Sequence, residues 1–170
     1  MPDPVSVRPA AAEDADAIAR VQVETWRAAY RGTVPDGFLD DMDVSERAAR
    51  WRDGFREGRA TWVAERDDEV VGFVAFGPSR DDDGAASVGE LYAIYVRSDH
   101  WRRGVGRALH DVCLAGLRRA GFTDATLWTL DANPAAKAFY EALGWAADGA
   151  TAPHDFAGTE LAVVRYRRRL

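Results

Sequence analysis

One stretch of the chain combines residue types and spacing that suggest chemistry. It runs Leu91-Tyr92-Ala93-Ile94-Tyr95-Val96, a short linker, then Arg102-Arg103-Gly104-Val105-Gly106-Arg107 at the opening of a helix. The first amides of a helix have no acceptor inside it, and the helix dipole puts its positive end there. Glycines let a phosphate approach the backbone closely, and three arginines add charge. The sum is an anion site suited to a pyrophosphate. Two common glycine signatures do not describe it. A dinucleotide fingerprint needs a third glycine where Leu109 stands, and a phosphate-binding loop needs a Gly-Lys-Ser/Thr that is absent. Taken alone, Gly104 and Gly106 would equally serve close packing of strand on helix.

The elements that must position this unit follow from hydrophobic spacing. Val5–Arg8 reads as a short strand. Ala17, Ile18, Val21, Thr25 and Ala28 recur at helical steps over Glu13 to Tyr30. Gly32 stops that helix, and Pro35-Asp36-Gly37 reads as a turn. A second helix spans Val44 to Phe55 behind Asp43 or Ser45 as cap. Thr61–Glu65 and Val70–Phe76 are strands joined by Asp67-Asp68-Glu69. Leu91–Val96 is nearly all apolar, as a strand covered on both faces should be. Gly104–Ala120 is a helix whose apolar face is Val105, Leu109, Val112, Cys113, Gly116, Leu117 and Ala120. Ala125–Leu130 is a strand. Asn133 to Leu143 is a helix with Asn133 as cap, Pro134 in its first turn and Gly144 past its end. Leu161–Tyr166 is the last strand. The strand–helix–strand unit near residues 90–130 implies a parallel crossover in a mixed sheet flanked by helices.

With these motifs placed, the sequence resembles the GNAT superfamily of acyl-CoA-dependent N-acyltransferases. Ile94-Tyr95-Val96 followed by Arg102 through Arg107 is similar to its acetyl-CoA segment. Asn133-Pro134-Ala135-Ala136-Lys137-Ala138-Phe139-Tyr140-Glu141-Ala142-Leu143-Gly144-Trp145 is similar to its second hallmark. The resemblance covers residues 5 to 145 well and the remainder loosely. It implies an α/β fold of the α+β type: a mixed, mostly antiparallel twisted sheet with a parallel, splayed central pair, here Leu91–Val96 and Ala125–Leu130. It implies acetyl-CoA as cosubstrate, with pantetheine along the open edge at Ile94, Tyr95 and Val96. The diphosphate would rest on the amides of Arg102, Arg103, Gly104, Val105, Gly106 and Arg107. Asn133 would contact the pantetheine arm and Tyr140 would be the general acid.

The implied reaction explains these residue types. An amine must be neutral to attack a thioester, yet an alkylammonium has a pKa of about 10.4 and is mostly protonated at neutral pH. A carboxylate or a water chain must take that proton, and a phenol can return one to the departing thiolate. If Phe139 and Leu143 face the core, Tyr140 faces the cleft edge; otherwise it is a packing tyrosine. Glu90, just before the apolar strand, is either the base, directly or through water, or a solvated strand-end carboxylate. Relatives that acetylate protein N-termini often carry a glutamate where this chain has Trp128, which argues against a base on that strand. Trp101 stands where many members have Gln or Arg, so one side-chain contact to phosphate is lost.

Thr25 to Gly32 and Pro35 to Leu39 resemble the first-helix region that forms the acceptor wall in this family. Glu24, Trp26 and Tyr30 are therefore the candidate acceptor residues, ahead of Trp51, Trp62 and Trp128; core packing is the competing role of each aromatic. An acidic, aromatic pocket would suit a cationic amine. The expected partner is a small-molecule amine or a peptide.

Composition bounds the rest. A chain of 170 residues fits one domain, 1–170, large enough to need no disulfide or metal. Lys and Arg number 22 against 28 Asp and Glu, giving a formal charge of −6. That excludes a general nucleic-acid binder. Cys113 is the only cysteine, and His100, His110 and His154 lack ligand spacing and read as surface residues, so no metal is expected. Cys113 falls on an apolar helix face and reads as core. Asp81-Asp82-Asp83-Gly84 reads as an acidic turn, and Arg165, Arg167, Arg168 and Arg169 as a solvated basic end. Met1-Pro2-Asp3-Pro4 does not begin a signal peptide and no run is long enough to span a membrane, so a cytoplasmic protein is expected. A homodimer is a state common in the family that this chain resembles, and no surface pattern in the sequence marks one. The expected activity is transfer of an acetyl group to a primary amine within a ternary complex. The competing functions are a non-catalytic acyl-CoA sensor and a protein lysine or N-terminal acetylase.

Overall fold

The computed structural model describes residues 4–170; Met1-Pro2-Asp3, part of the N-terminal segment read above, lie outside the described residues. The strands are β1 (Ser6–Pro9), β2 (Ala60–Arg66), β3 (Glu69–Pro78), β4 (Val88–Val96), β5 (Asp124–Leu130), β6 (Ala146–Phe156) and β7 (Thr159–Arg169). The helices are α1 (Ala15–Tyr30), α2 (Asp36–Asp40), α3 (Val44–Arg56), α4 (Val105–Arg119) and α5 (Pro134–Ala142). The strands form one sheet in the order β1-β2-β3-β4-β5-β7-β6. Only β4 and β5 run parallel, with α4 as the crossover between them.

The β4–β5 pairing is short. It covers Val88↔Asp124, Gly89↔Ala125 and Glu90↔Thr126, and the two strands then part. On its other edge β4 stays paired to β3 as far as Val96, with one irregularity: Phe76 faces Leu91 and Ala75 faces Ala93, leaving Tyr92 as a bulge. The extra residue turns Tyr92 and Ala93 toward the same layer. Tyr92, Ala93 and Tyr95 pack with α1 and α3, while Leu91, Ile94 and Val96 pack with α4 and α5. A strand covered on both faces explains the apolar run seen in the sequence.

Helix α4 buries Val105, Leu109, His110, Cys113, Leu114 and Leu117. His110 and Leu114 thus take places that periodicity gave to Val112 and Ala120, which are half-buried and exposed. Gly116 is where the helix meets the sheet most tightly: a Cβ there would stand 2.6 Å from Cε2 and Cζ of Phe76. A third cluster joins α1 and α2 to the end of the β6–β7 hairpin through Val23, Tyr30, Val34, Leu39, Met42, Leu130 and Phe156.

Three sequence expectations change. Pro35-Asp36-Gly37 opens a short helix instead of a simple turn. The C-terminal region contains an additional strand, β6, which lies at the sheet edge and is exposed along most of its length. A strand wet on both faces carries no alternation to read. Arg165 is not on a solvated end. It is 8% exposed and bridges Asp83 (2.7 Å), Asp148 (2.7 Å) and Asp81 (3.1 Å), so the acidic turn after β3 is tied to β6 and β7.

Candidate active site

The site is the gap left where β4 and β5 part. Arg97 N–H donates to Val71 O (2.9 Å) on the β3 side. Strand alternation then turns the amides and carbonyls of Ile94 and Val96 toward the open edge. The Val96 carbonyl is already engaged, by the Thr25 hydroxyl (3.3 Å) and by Trp101 Nε1 (2.6 Å). This leaves Ile94 and the Val96 amide as the free backbone groups of the edge. Trp101, read from the sequence as a lost phosphate contact, instead fixes the linker to the end of β4.

At the mouth of the gap stands the start of α4. Ala108 N–H donates to Gly104 O (3.0 Å), the first bond of the helix, so the amides of Val105, Gly106 and Arg107 have no intrahelical acceptor. No side chain caps them. Gly104 sits at φ +81°, and Arg102 is also left-handed at φ +58°, an uncommon state for arginine. A Cβ at Gly104 would meet nothing within 4 Å, so protein does not plug the helix start. Among the described residues no carboxylate lies within ion-pair distance of Arg102, Arg103 or Arg107. An open, uncapped, cationic helix start fits a diphosphate.

Helix α5 closes the other side. Asn133 Oδ1 accepts from Ala136 N–H (3.1 Å), as its capping role predicts. Of the two orientations left open for Tyr140, the structure takes the packed one: it is the buried residue of α5, 8% exposed, whereas Phe139 and Leu143 are half-buried. The reason is that α5 packs Tyr140 inward onto Trp145 and Tyr166, at ring separations of 6.3 Å each, while Phe139 turns toward α4 and His110. Burial raises the Tyr140 pKa above the phenol range, helped by the proximity of Tyr30 and Cys113. Tyr95 is likewise raised, by burial and then by Tyr30 and Tyr140. Tyr30 is raised by burial and partly restored by Asn133 and Tyr95. Three phenols from α1, β4 and α5 therefore converge on one buried region beside Asn133.

Of the acceptor candidates, Trp26 and Tyr30 join this region and Glu24 does not. Trp26 packs on Tyr30 (4.9 Å), Phe156 (5.9 Å), Phe38 (6.1 Å) and Tyr95 (6.3 Å). Its Nε1 is buried near the Tyr95 hydroxyl without an acceptor in hydrogen-bond geometry. Glu24 is exposed and faces Arg97 at 3.9 Å. Phe38, from the Pro35 to Leu39 segment, and Phe156, which nothing in the sequence marked, complete the aromatic wall because α2 and the β6–β7 hairpin meet there.

Glu90 lies at the vertex, the last residue of β4 paired to β5, and is 3% exposed. It is not a solvated strand end. Its carboxylate accepts from Arg80 N–H (2.8 Å) and from Arg80 Nη2 (3.0 Å), and the same guanidinium stacks 4.0 Å over the Tyr92 ring. Two other residues correct sequence expectations or settle them. His110 is buried, not on the surface: Nε2 accepts from Trp145 Nε1 (2.9 Å), and burial lowers its pKa. Cys113 is core, its thiol pushed up to about 12 by burial, which excludes a reactive thiolate. Among the described residues no metal-ligating cluster occurs, and no helix is long and apolar enough to cross a membrane.

Comparison with known proteins agrees with this geometry. The model of the acetyltransferase (GNAT) family matches residues 20–145. An uncharacterized N-acetyltransferase, YuaI, of Bacillus subtilis is 35% identical over 139 residues, covering 81% of this chain and 78% of that protein. The fold matches PaiA N-acetyltransferase from Thermoplasma acidophilum in complex with coenzyme A, with a TM-score of 0.75, 15% identity and coverage of 99% and 100%. It also matches YncA of Salmonella typhimurium, a putative acetyltransferase with acetyl-CoA, with a TM-score of 0.74, 23% identity and coverage of 98% and 94%. A parallel pair that splays beside an open helix start, together with these similarities, places the chain in the GNAT family of acetyltransferases.

Proposed function

We propose that the chain, acting as one domain, transfers an acetyl group from acetyl-CoA to a primary amine in a ternary complex. The observation that carries this reading is the coincidence of three openings: β4 unpaired beyond Glu90, the helix start of α4 uncapped, and Gly104 clear of protein. The amides of Val105, Gly106 and Arg107, with Arg102 and Arg103 adding charge, hold the diphosphate. The backbone of Ile94, Tyr95 and Val96 aligns the pantetheine arm, and Asn133 flanks it. Acetyl-CoA supplies the thioester carbonyl that an amine attacks.

Tyr140 holds a proton for the departing sulfur. Its raised pKa keeps the phenol protonated at neutral pH, which is the state an acid needs. Glu90 accepts the amine proton, through water, with Arg80 holding its carboxylate in place. Trp26 and Tyr30 form the acceptor wall, and aromatic faces tolerate both the apolar body of an amine and its charge.

Calorimetric titration with acetyl-CoA, followed by thiol release in the presence of an amine panel, tests the reading. Binding with amine-dependent thiol release is expected. Tight binding with no release for any amine would reassign the chain to acyl-CoA sensing, and no binding would remove the cradle.

A further inference from the structure

Of the six tryptophans, Trp101 alone is exposed. It is 45% exposed, the one large apolar side chain at the surface among the described residues. Among those residues no ring and no guanidinium stacks on it, whereas Trp26, Trp51, Trp128 and Trp145 each have such a partner. A single exposed apolar side chain is ordinary by itself. How this one is held, and where, gives it meaning.

The indole is fixed. Its Nε1 donates to Val96 O (2.6 Å), and the Trp101 backbone N–H donates to Ser98 O (3.3 Å). The bond engages the N–H edge of the ring and leaves the ring faces uncovered by other π-systems. A ring ordered before binding loses little freedom when a ligand stacks on it.

The indole also stands at a junction. Val96 O belongs to the open edge of β4, and Trp101 is the last linker residue before the cradle of Arg102 through Arg107. From Trp101 to Val105, the first free amide, is four residues of chain, at most about 14 Å when extended. Left-handed Arg102 (φ +58°) and Gly104 (φ +81°) fold that distance shorter. A diphosphate on these amides carries pantetheine on one side and, one ribose away on the other, adenine. Adenine is the flat aromatic group of CoA, and bases stack on exposed aromatic rings whatever their sequence identity.

We propose, resting on the acetyl-CoA reading above, that Trp101 is the stacking platform for the adenine of the cosubstrate. Where many family members have Gln or Arg for phosphate, this chain then exchanges a phosphate contact for a base contact. The rival role is a latch only, in which the indole N–H ties the linker to Val96 and the ring faces touch no ligand.

Variant and ligand separate the two roles. Isothermal titration measures CoA and 4′-phosphopantetheine, which lacks the adenosine, against wild type, Trp101→Ala and Trp101→Phe. Loss of a stacked base costs about five- to hundredfold in affinity. Trp101→Ala should therefore bind CoA at least about fivefold more weakly than wild type and 4′-phosphopantetheine within about twofold. Trp101→Phe keeps a ring and loses the N–H, so its CoA affinity should stay within about threefold of wild type.

An equal loss for both ligands, or a Phe variant as weak as the Ala variant, makes Trp101 a latch and overturns the stack. CoA affinity unchanged in Trp101→Ala overturns it too. Circular dichroism checks the folds, and Trp101→Leu, which keeps apolar bulk on the linker, replaces an alanine variant that does not fold. In each of these cases the wild type still binds CoA and the acetyl-CoA reading stands. A wild type that binds no CoA removes both.

Discussion

The indole N–H of Trp145 donates to Nε2 of His110 across 2.9 Å, joining the helix that carries the cradle to the segment that follows the helix of Tyr140. The bond requires Nε2 to be unprotonated, so His110 carries its hydrogen on Nδ1 when neutral. Protonation would place two N–H groups face to face in a buried space.

A pH dependence follows. The folded pKa of His110 lies below its unfolded value of about 6.5, first through burial and also through Arg168 and Arg107, while Asp111 opposes. The unfolded chain then binds more protons over that interval. Stability is full above about pH 6.5 and falls as pH drops toward the lowered folded value. Thermal melts from pH 7.5 to 5 should show this decline, and His110→Gln should flatten it.

Tyr140→Phe removes the proton donor and little volume. Turnover should fall by about 10²–10⁴ while KM for acetyl-CoA stays nearly constant. Steady-state kinetics with any turned-over amine decides it; unchanged kcat removes the role assigned to this phenol.

Gly104→Asp places a carboxylate at the open helix start and a side chain at φ +81°. Acetyl-CoA affinity should drop by at least about tenfold, from charge repulsion with the diphosphate. Isothermal titration measures it, and an unaltered Kd would mean the diphosphate lies elsewhere.

Gly116→Ala drives a methyl into Phe76, which would stand 2.6 Å away. Overpacking of this kind costs about 1–3 kcal/mol. Urea unfolding should show a lower midpoint with the slope unchanged.

Arg165→Met strands Asp81, Asp83 and Asp148 near one another. The expected loss is about 2 kcal/mol, below the usual cost of breaking a buried pair because Asp83 is solvent-exposed. High salt should recover part of it by screening the three carboxylates.

Much of the fold was legible because β4, α4 and α5 carry strong local signals. The apolar run of β4, the cap at Asn133 and the glycines at Gly104 and Gly144 each state a local rule. What sequence alone did not reveal depends on distant partners. The β6 strand has no buried face to imprint a pattern. His110 and Arg165 are polar residues whose burial rests on Trp145 and on three aspartates far along the chain. The orientation of Tyr140 stays open in the sequence because a short helix with two adjacent aromatics fits either rotation until Trp145 and Tyr166 choose one. Phe38 and Phe156 join the aromatic wall only through the packing of α2 against the β6–β7 hairpin.

The short seam between β4 and β5 has a mechanical meaning. Three residue pairs hold the parallel strands together, and from Leu91 to Val96 β4 is paired to β3 alone. Six residues of strand make a lever arm of roughly 20 Å, so a rotation of about 5° at the seam shifts its tip by about 2 Å. The angle fixed at Glu90 and Thr126, where the pairing ends, therefore sets how wide a gap lies between the two half-sheets.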